Sequence, residues 1–431
     1  MTGEDMLEKQ KQRMYQELFT RREERVITHR DVELLRERIG TEVPLNRPYN
    51  EVCTRDGLRK LAQGHGDLNP LYWDEEYGAT TRWGGLIAPP TFINTTGTSA
   101  KREFDDYERA KGMGAMNGVH AWDGGKECYY YRPVKLGDFL WSTRYLADVQ
   151  KKASRFAQTA VHSTYRQFWA NDSGELVAAC NSLVVWAGRE RQPGERQKYA
   201  HIEGKQRYRP DELMRIDEDM DKEEIRGAEP RYWEDANVGD ELTPVVKGPV
   251  IFVDLFNFNI GHGMSMYDGA HRWAYEYRKR HPNAFIMNRL GFPDTVEGVM
   301  FVEDGWSVRT GMPTEYVYGD MLFGWIAHLV TNWMGDDAWL YRIAGQWREP
   351  VFLYDTNWVK GTVARKYIDA TGQYKVDIDI HSEDQRGRRP IVGEATVILP
   401  SKTGGKPQVP PPDTPAPFAP EEAEVPTGES A

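Results

Sequence analysis

Two short turns, PVKLGD from Pro133 to Asp138 and PVFLYD from Pro350 to Asp355, stand 217 residues apart, and each is followed by three runs of alternating apolar and polar residues. In the first half the runs are FLWSTRYLADV, FAQTAVHSTYRQFW and ELVAACNSLVVW; in the second they are TNWVKGTVARKYI, YKVDIDIHSED and RPIVGEATVIL. A period of two places alternate side chains on one face of a strand. The Asn-Asp-Ser-Gly and Asp-Gln-Arg-Gly tetrapeptides between runs are hairpin turns. Each half therefore ends in a three-stranded antiparallel meander, and the chain is a tandem repeat. Its 431 residues exceed what one hydrophobic core usually spans.

Ahead of each meander lies a segment read as helical, GGLIAPPTFINTTGTS in the first half and YVYGDMLFGWIAHLVTNWMG in the second. The latter is apolar nearly all round, which predicts a buried helix. A long helix wrapped by an antiparallel sheet is an α+β layer solution, and two such units pair their sheets edge to edge to close one exposed edge of each. The expected division is a helical arm over 1–42, a first unit over 43–188, a charged linker over 189–231, a second unit over 232–400 with a helical insertion at about 264–298, and a Pro-rich tail over 401–431.

The net charge is −11, and Lys and Arg form no run fit to track a nucleic-acid backbone. A few local cations still suffice for the phosphates of one small ligand. Cys53, Cys128 and Cys180 are far apart without CxxC spacing, so neither a disulfide framework nor a zinc site is expected, and a reducing compartment is. The charged N-terminus lacks a signal-peptide core and no run of apolar residues is long enough to cross a bilayer, which predicts a cytoplasmic protein with no membrane partner.

The most informative stretch is GHGDLNPLYWDEEYGATTRWGGLIAPPTF, Gly64 to Phe92. Gly66, Asp67, Asn69, Pro70, Leu71 and Asp74 match, in order and spacing, the Gly-Asp-x-Asn-Pro-apolar-His-x-Asp pattern of the MaoC-like, or type 2, enoyl-CoA hydratases. Arg82, Trp83, Gly84, Gly85, Pro89, Pro90, Thr91 and Phe92 resemble the FAS1-like dehydratase subgroup of that family. The resemblance implies a double hotdog, two tandem hotdog domains each with a long helix wrapped by an antiparallel sheet. It further implies a hydro-lyase acting on a 2-enoyl-CoA or 3-hydroxyacyl-CoA thioester without metal or redox cofactor, in a homodimer or higher homo-oligomer. The aromatic and Met content around the second helix suggests a bulky or aromatic acyl group.

By the resemblance Asp67 is general base and acid, because adding water needs a base for the water and an acid for the α-carbon. The family His position is Tyr72, and a phenol of pKa about 10 shuttles protons less well at neutral pH than an imidazole near 6.5. Tyr72 is then expected to orient the water, with Asn69, Arg82, Gly84, Gly85, Thr91 and Gly319 contacting substrate. Gly319 stands in Tyr-Gly-Asp-Met where the family has His-Gly-Met, offering an oxyanion donor. His65, His262 and His271 are candidates for the missing imidazole. Aligning Gly64-His-Gly-Asp with Gly261-His-Gly-Met puts Met264, Phe301 and Glu303 opposite Asp67, Tyr72 and Asp74, so the second half has lost the motif. Two alternatives remain open, a catalytically degenerate acyl-CoA-binding or partner subunit and a hotdog thioesterase.

Overall fold

The structure, a computed structural model, describes residues 9, 26–43, 48–99, 106–116, 119–154, 158–187, 199, 202, 205–263, 269–281, 285–288, 290–295 and 312–409. In chain order the helices are α1 (His29–Arg36), α2 (Arg55–His65), α3 (Glu75–Thr80), α4 (Asp106–Ala110), α5 (Pro210–Met220), α6 (Phe252–His262), α7 (Arg272–Arg280) and α8 (Gly319–Met334). The strands are β1 (Thr98–Ser99), β2 (His120–Tyr130), β3 (Leu140–Ser154), β4 (Gln158–Asn171), β5 (Leu176–Ala187), β6 (Val245–Lys247), β7 (Phe285–Met287), β8 (Pro293–Thr295), β9 (Trp339–Trp347), β10 (Asn357–Ile368), β11 (Tyr374–Asp384) and β12 (Ile391–Ile398).

Both expected meanders are present, as β3-β4-β5 and β10-β11-β12. Ten strands form one sheet in the order β1-β3-β4-β5-β2-β9-β12-β11-β10-β6, in which the two halves mirror each other across the β2–β9 junction. Antiparallel pairing from Gly125 opposite Gln346 to Tyr129 opposite Arg342 closes that junction. This is the α+β double hotdog. The curled sheet wraps α8, which packs on β2, β6, β9, β10 and β12 and is buried without interruption from Met321 to Trp333.

The first half departs from the expected pattern of one long helix per unit. Its segment forms only a 3-10 helix, Pro90–Thr95. Pro89 and Pro90 supply no N–H, the β-branched Thr91, Ile93, Thr95 and Thr96 resist helical continuation, and Gly97 at φ 111 ends it. Among the described residues one long helix thus serves both halves, with residues of each half around it.

Helices α2 and α6, which occupy equivalent places in the two halves, both end in Gly-His-Gly with the last Gly in the left-handed region, φ 65 at Gly66 and φ 71 at Gly263. They cross where Gly64 meets Gly261. A Cβ on Gly64 would lie 2.7 Å from the Asn257 carbonyl oxygen and 3.1 Å from Gly261 Cα, both backbone atoms that cannot swing aside. Gly64→Ala is therefore expected to destabilise the protein by about 1–3 kcal/mol, the usual cost of overpacking. Urea unfolding measures this, and an unchanged midpoint would show slack at the crossing.

The remaining segments carry structure of their own. The linker carries α5 and supplies Glu223 to the interior, since Pro210 at the first helical position and the Arg209–Glu212 capping contact start a helix there. The proposed insertion contains α7 and the β7–β8 ribbon. Residues 401–409 of the tail are an ordered strap in which Val409 packs on the core. Met264, Phe301, Glu303 and most of the arm lie outside the described residues. The cysteines are not all unpaired: strand register sets Cys128 directly opposite Cys180, where they form a disulfide. Their separation of 52 residues conceals an adjacency that only pairing of β2 with β5 creates. No helix among the described residues is long and apolar enough to cross a membrane.

Candidate active site

Asp67 leaves α2 through a fixed turn. Gly66 in the left-handed conformation lets its own N–H reach Gln63 O (3.1 Å) and the Asp67 N–H reach Ala62 O (2.9 Å), closing the helix end. Asp67 Oδ1 accepts the Asn69 N–H at 2.9 Å, and Asn69 Oδ1 accepts the Leu71 N–H at 3.0 Å, capping the 3-10 turn Pro70–Tyr72. Asn69 and Pro70 thus hold the loop, and Asp67 caps a turn while its carboxyl also faces inward.

What it faces is α8, from the other half. Gly324, His328 and Thr331 share one side of that helix at spacings of four and three. His328, 2% exposed, holds Nε2 3.6 Å from Asp67 Oδ1 and 3.0 Å from Glu223 Oε1. Its Nδ1 is 2.7 Å from Nζ of Lys247, which also donates to the His65 carbonyl at 2.8 Å. Gly324 admits the neighbouring imidazole, because a Cβ there would run into Cε1 and Nδ1 of His65. His65 Nε2 in turn is 3.4 Å from both Thr91 Oγ1 and His262 Nε2.

Burial governs the electrostatics. It lowers Lys247 to about 8, although the charges of Glu223, Asp67 and Asp254 pull it back up. Burial raises Glu223, but His328 and Lys247 outweigh it and hold that carboxyl below its ordinary value. His65 is pushed well below the usual imidazole range by burial and then by His262, Lys247 and His328. Tyr72 is pushed well above the usual phenol range by burial and then by Asp67, so it stays a neutral phenol beside Thr331.

Asp67, His65, Thr91 and His328 line a small chamber. Pro89, Pro90 and Thr331 form its shared wall with a larger cavity, lined mainly by Leu71, Tyr72, Trp83, Ile93, Tyr130 and Trp339. A polar chamber opening beside an apolar cavity suits a ligand whose reacting end is polar and whose body is not. Among the described residues no group of His, Cys, Asp and Glu is arranged to hold a metal ion. Gly335, Asp336 and Asp337 form the turn that follows α8, with Asp336 accepting the Tyr77 hydroxyl.

The structure brings together Asp67, Tyr72, Asn69, Thr91, His65 and His262, and separates the rest. Arg82 donates to the carbonyls of Asp337 (2.8 Å) and Pro407 and stacks on Trp83, tying the tail strap to the first half. Gly84 and Gly85 sit in the turn after α3 and border neither cavity. Gly319 stands at the far end of α8, away from Asp67 and His328, where a Cβ would collide with the Asp123 side chain. His271 is exposed at the start of α7. Sequence reasoning missed His328, Lys247 and Glu223. The signal was a single His in the middle of a mostly apolar helix, since an imidazole in a fully buried segment must face a partner.

A family model described as FAS1-like, dehydratase domain region, matches residues 38–180. A UPF0336 protein of Streptomyces avermitilis is 31% identical over 154 residues, 35% of this chain and 95% of the relative. One from Thermobifida fusca is 30% identical over 154 residues, 36% of this chain and 93% of the relative. Among solved structures, a MaoC-like dehydratase superposes with a TM-score of 0.57 at 16% identity, covering 85% of this chain and 99% of that one. A putative MaoC domain dehydratase from Chloroflexus aurantiacus gives 0.50 at 12% identity, covering 85% and 96%. At these identities the superpositions speak for the fold.

Proposed function

Because the chain belongs to the MaoC-like hotdog proteins with a FAS1-like dehydratase domain, we propose that it is a hydratase/dehydratase of acyl-CoA thioesters, with Asp67 and His328 as its acid–base pair. The observation that carries this is the 3.6 Å approach of His328 Nε2 to Asp67 Oδ1 inside the chamber. An imidazole from the second half stands in for the family His that Tyr72 replaced. In hydration Asp67 takes a proton from the water whose oxygen bonds to the β-carbon, and the Nε2–H of His328 gives its proton to the α-carbon. A proton then returns from Asp67 to His328, and dehydration runs the steps in reverse.

Lys247 supports this assignment of protons. Its ammonium beside Nδ1 leaves Nε2 as the protonated nitrogen turned toward the chamber, and its lowered pKa lets it share that proton with the imidazole as charge changes. Tyr72 and the aromatic walls of the larger cavity support a bulky or aromatic acyl group over a short one. No redox group enters the reaction.

The purified chain is expected to consume the conjugated absorbance of cinnamoyl-CoA with a kcat/KM at least about tenfold above that for crotonyl-CoA, the discrimination an extended apolar contact gives. No hydration of crotonyl-, octenoyl- or cinnamoyl-CoA would overturn the assignment. Release of free thiol without hydration would establish thioester hydrolysis in its place.

A further inference from the structure

The larger cavity is apolar except at a few positions, and most of its polar side chains are already engaged. Asn69 Oδ1 caps the Leu71 N–H, Thr331 Oγ1 donates to Ala327 O, Asp336 accepts from Tyr77, and Arg132 pairs through Nη2 with Glu175 at 2.8 Å, leaving its Nε without a partner among the described residues. Tyr130 differs. It lines this cavity from the last position of β2, is 5% exposed, and its hydroxyl has no hydrogen-bond partner among the described residues. Its backbone is held by the Trp339 Nε1–H on Tyr130 O at 3.0 Å, and pairing with Ala178 of β5 fixes the strand.

A buried hydroxyl left unpaired costs about 1–3 kcal/mol, and a phenylalanine in the same place would avoid that cost. Burial raises the Tyr130 pKa, so the group is a neutral phenol that both donates and accepts. The Asp336 carboxyl lines the same cavity and is also raised by burial. An otherwise apolar cavity with an idle phenol in its wall is built to recognise an oxygen on the body of its ligand.

Resting on the acyl-thioester reading above, we propose that the acyl group this cavity takes carries a hydroxyl or keto oxygen on its hydrophobic body, hydrogen-bonded by Tyr130. This makes Tyr130 a specificity-determining residue remote from the carbons that react. A site with a hydrogen-bonding group discriminates strongly against ligands lacking its partner, because the group is then left unpaired.

Dihydrocinnamoyl-CoA and its meta- and para-hydroxy derivatives, which are saturated and not turned over, separate binding from catalysis. By isothermal titration, at least one hydroxylated probe is expected to bind the wild-type chain about tenfold more tightly than the plain one, the worth of one well-made hydrogen bond. Tyr130→Phe should abolish that preference, leave affinity for the plain probe within about twofold, and keep or raise the melting temperature. Equal affinities in the wild type, or a preference that survives Tyr130→Phe, overturn the proposal. So does a large drop in melting temperature of that variant, which would give the hydroxyl a structural task. Failure of all three probes to bind would instead remove the acyl-thioester reading.

Discussion

Asp67→Asn and His328→Gln are each expected to lower kcat/KM for hydration by about 10²- to 10⁴-fold, the range that positioned acid–base groups contribute. Both substitutions keep shape and hydrogen-bonding capacity. The amide oxygen introduced at position 67 would still accept the Asn69 N–H that Asp67 accepts now at 2.9 Å, so the turn survives. The amide introduced at position 328 would still reach toward Glu223 and Lys247, which flank the imidazole at 3.0 and 2.7 Å. The loss should fall on kcat with KM changed little, because neither group holds the body of the substrate. The double variant should be little worse than either single one, since groups acting as a unit are not additive. Retention of wild-type kcat by His328→Gln, with Asp67→Asn inactive, would return the chemistry to Asp67 alone.

His328, on which that outcome depends, is displayed by the sequence without being marked. The strands were legible because a period of two survives in nearly every run, and hairpin turns fixed where each run ended. The Asp67 loop was legible because its geometry is local: a left-handed Gly66, a capping Asn69 and Pro70 lie within a few residues. His328 was not, because its meaning comes from position against the other half. Asp67 and His328 meet only once the halves close across β2 and β9, and Lys247 and Glu223 arrive from a three-residue strand and from a segment that composition alone marks as solvated linker. Arg82 shows the converse error, where a cation beside a recognised motif serves the tail strap. The long first-half helix failed for a local reason that was visible: two prolines followed by β-branched residues.

Stability should fall by about 3 kcal/mol as pH drops from about 6.5 to about 4 on account of His262 alone. In the folded protein burial lowers His262 to about 4, with Asp320 pulling it up and Lys126 pushing it further down, whereas in the unfolded chain it titrates near 6.5. Between those values the unfolded state binds more protons, so the folded state is favoured in full above about 6.5 and loses ground as pH falls toward about 4. His65, also lowered and 3.4 Å away, acts in the same direction, and its nearness makes a second positive charge there harder to place. Asp123 acts oppositely: burial and then Asp320 raise it to about 6, so acid relieves its cost of folding. Comparison with His262→Gln removes such background terms. The variant loses the ring contact with Phe258, centred 4.1 Å away, at every pH, so its deficit should be largest at neutral pH and shrink by about 3 kcal/mol toward pH 4. Urea unfolding across that range reads the difference directly, and a deficit independent of pH would mean that His262 is protonated in the folded protein as readily as in the unfolded chain.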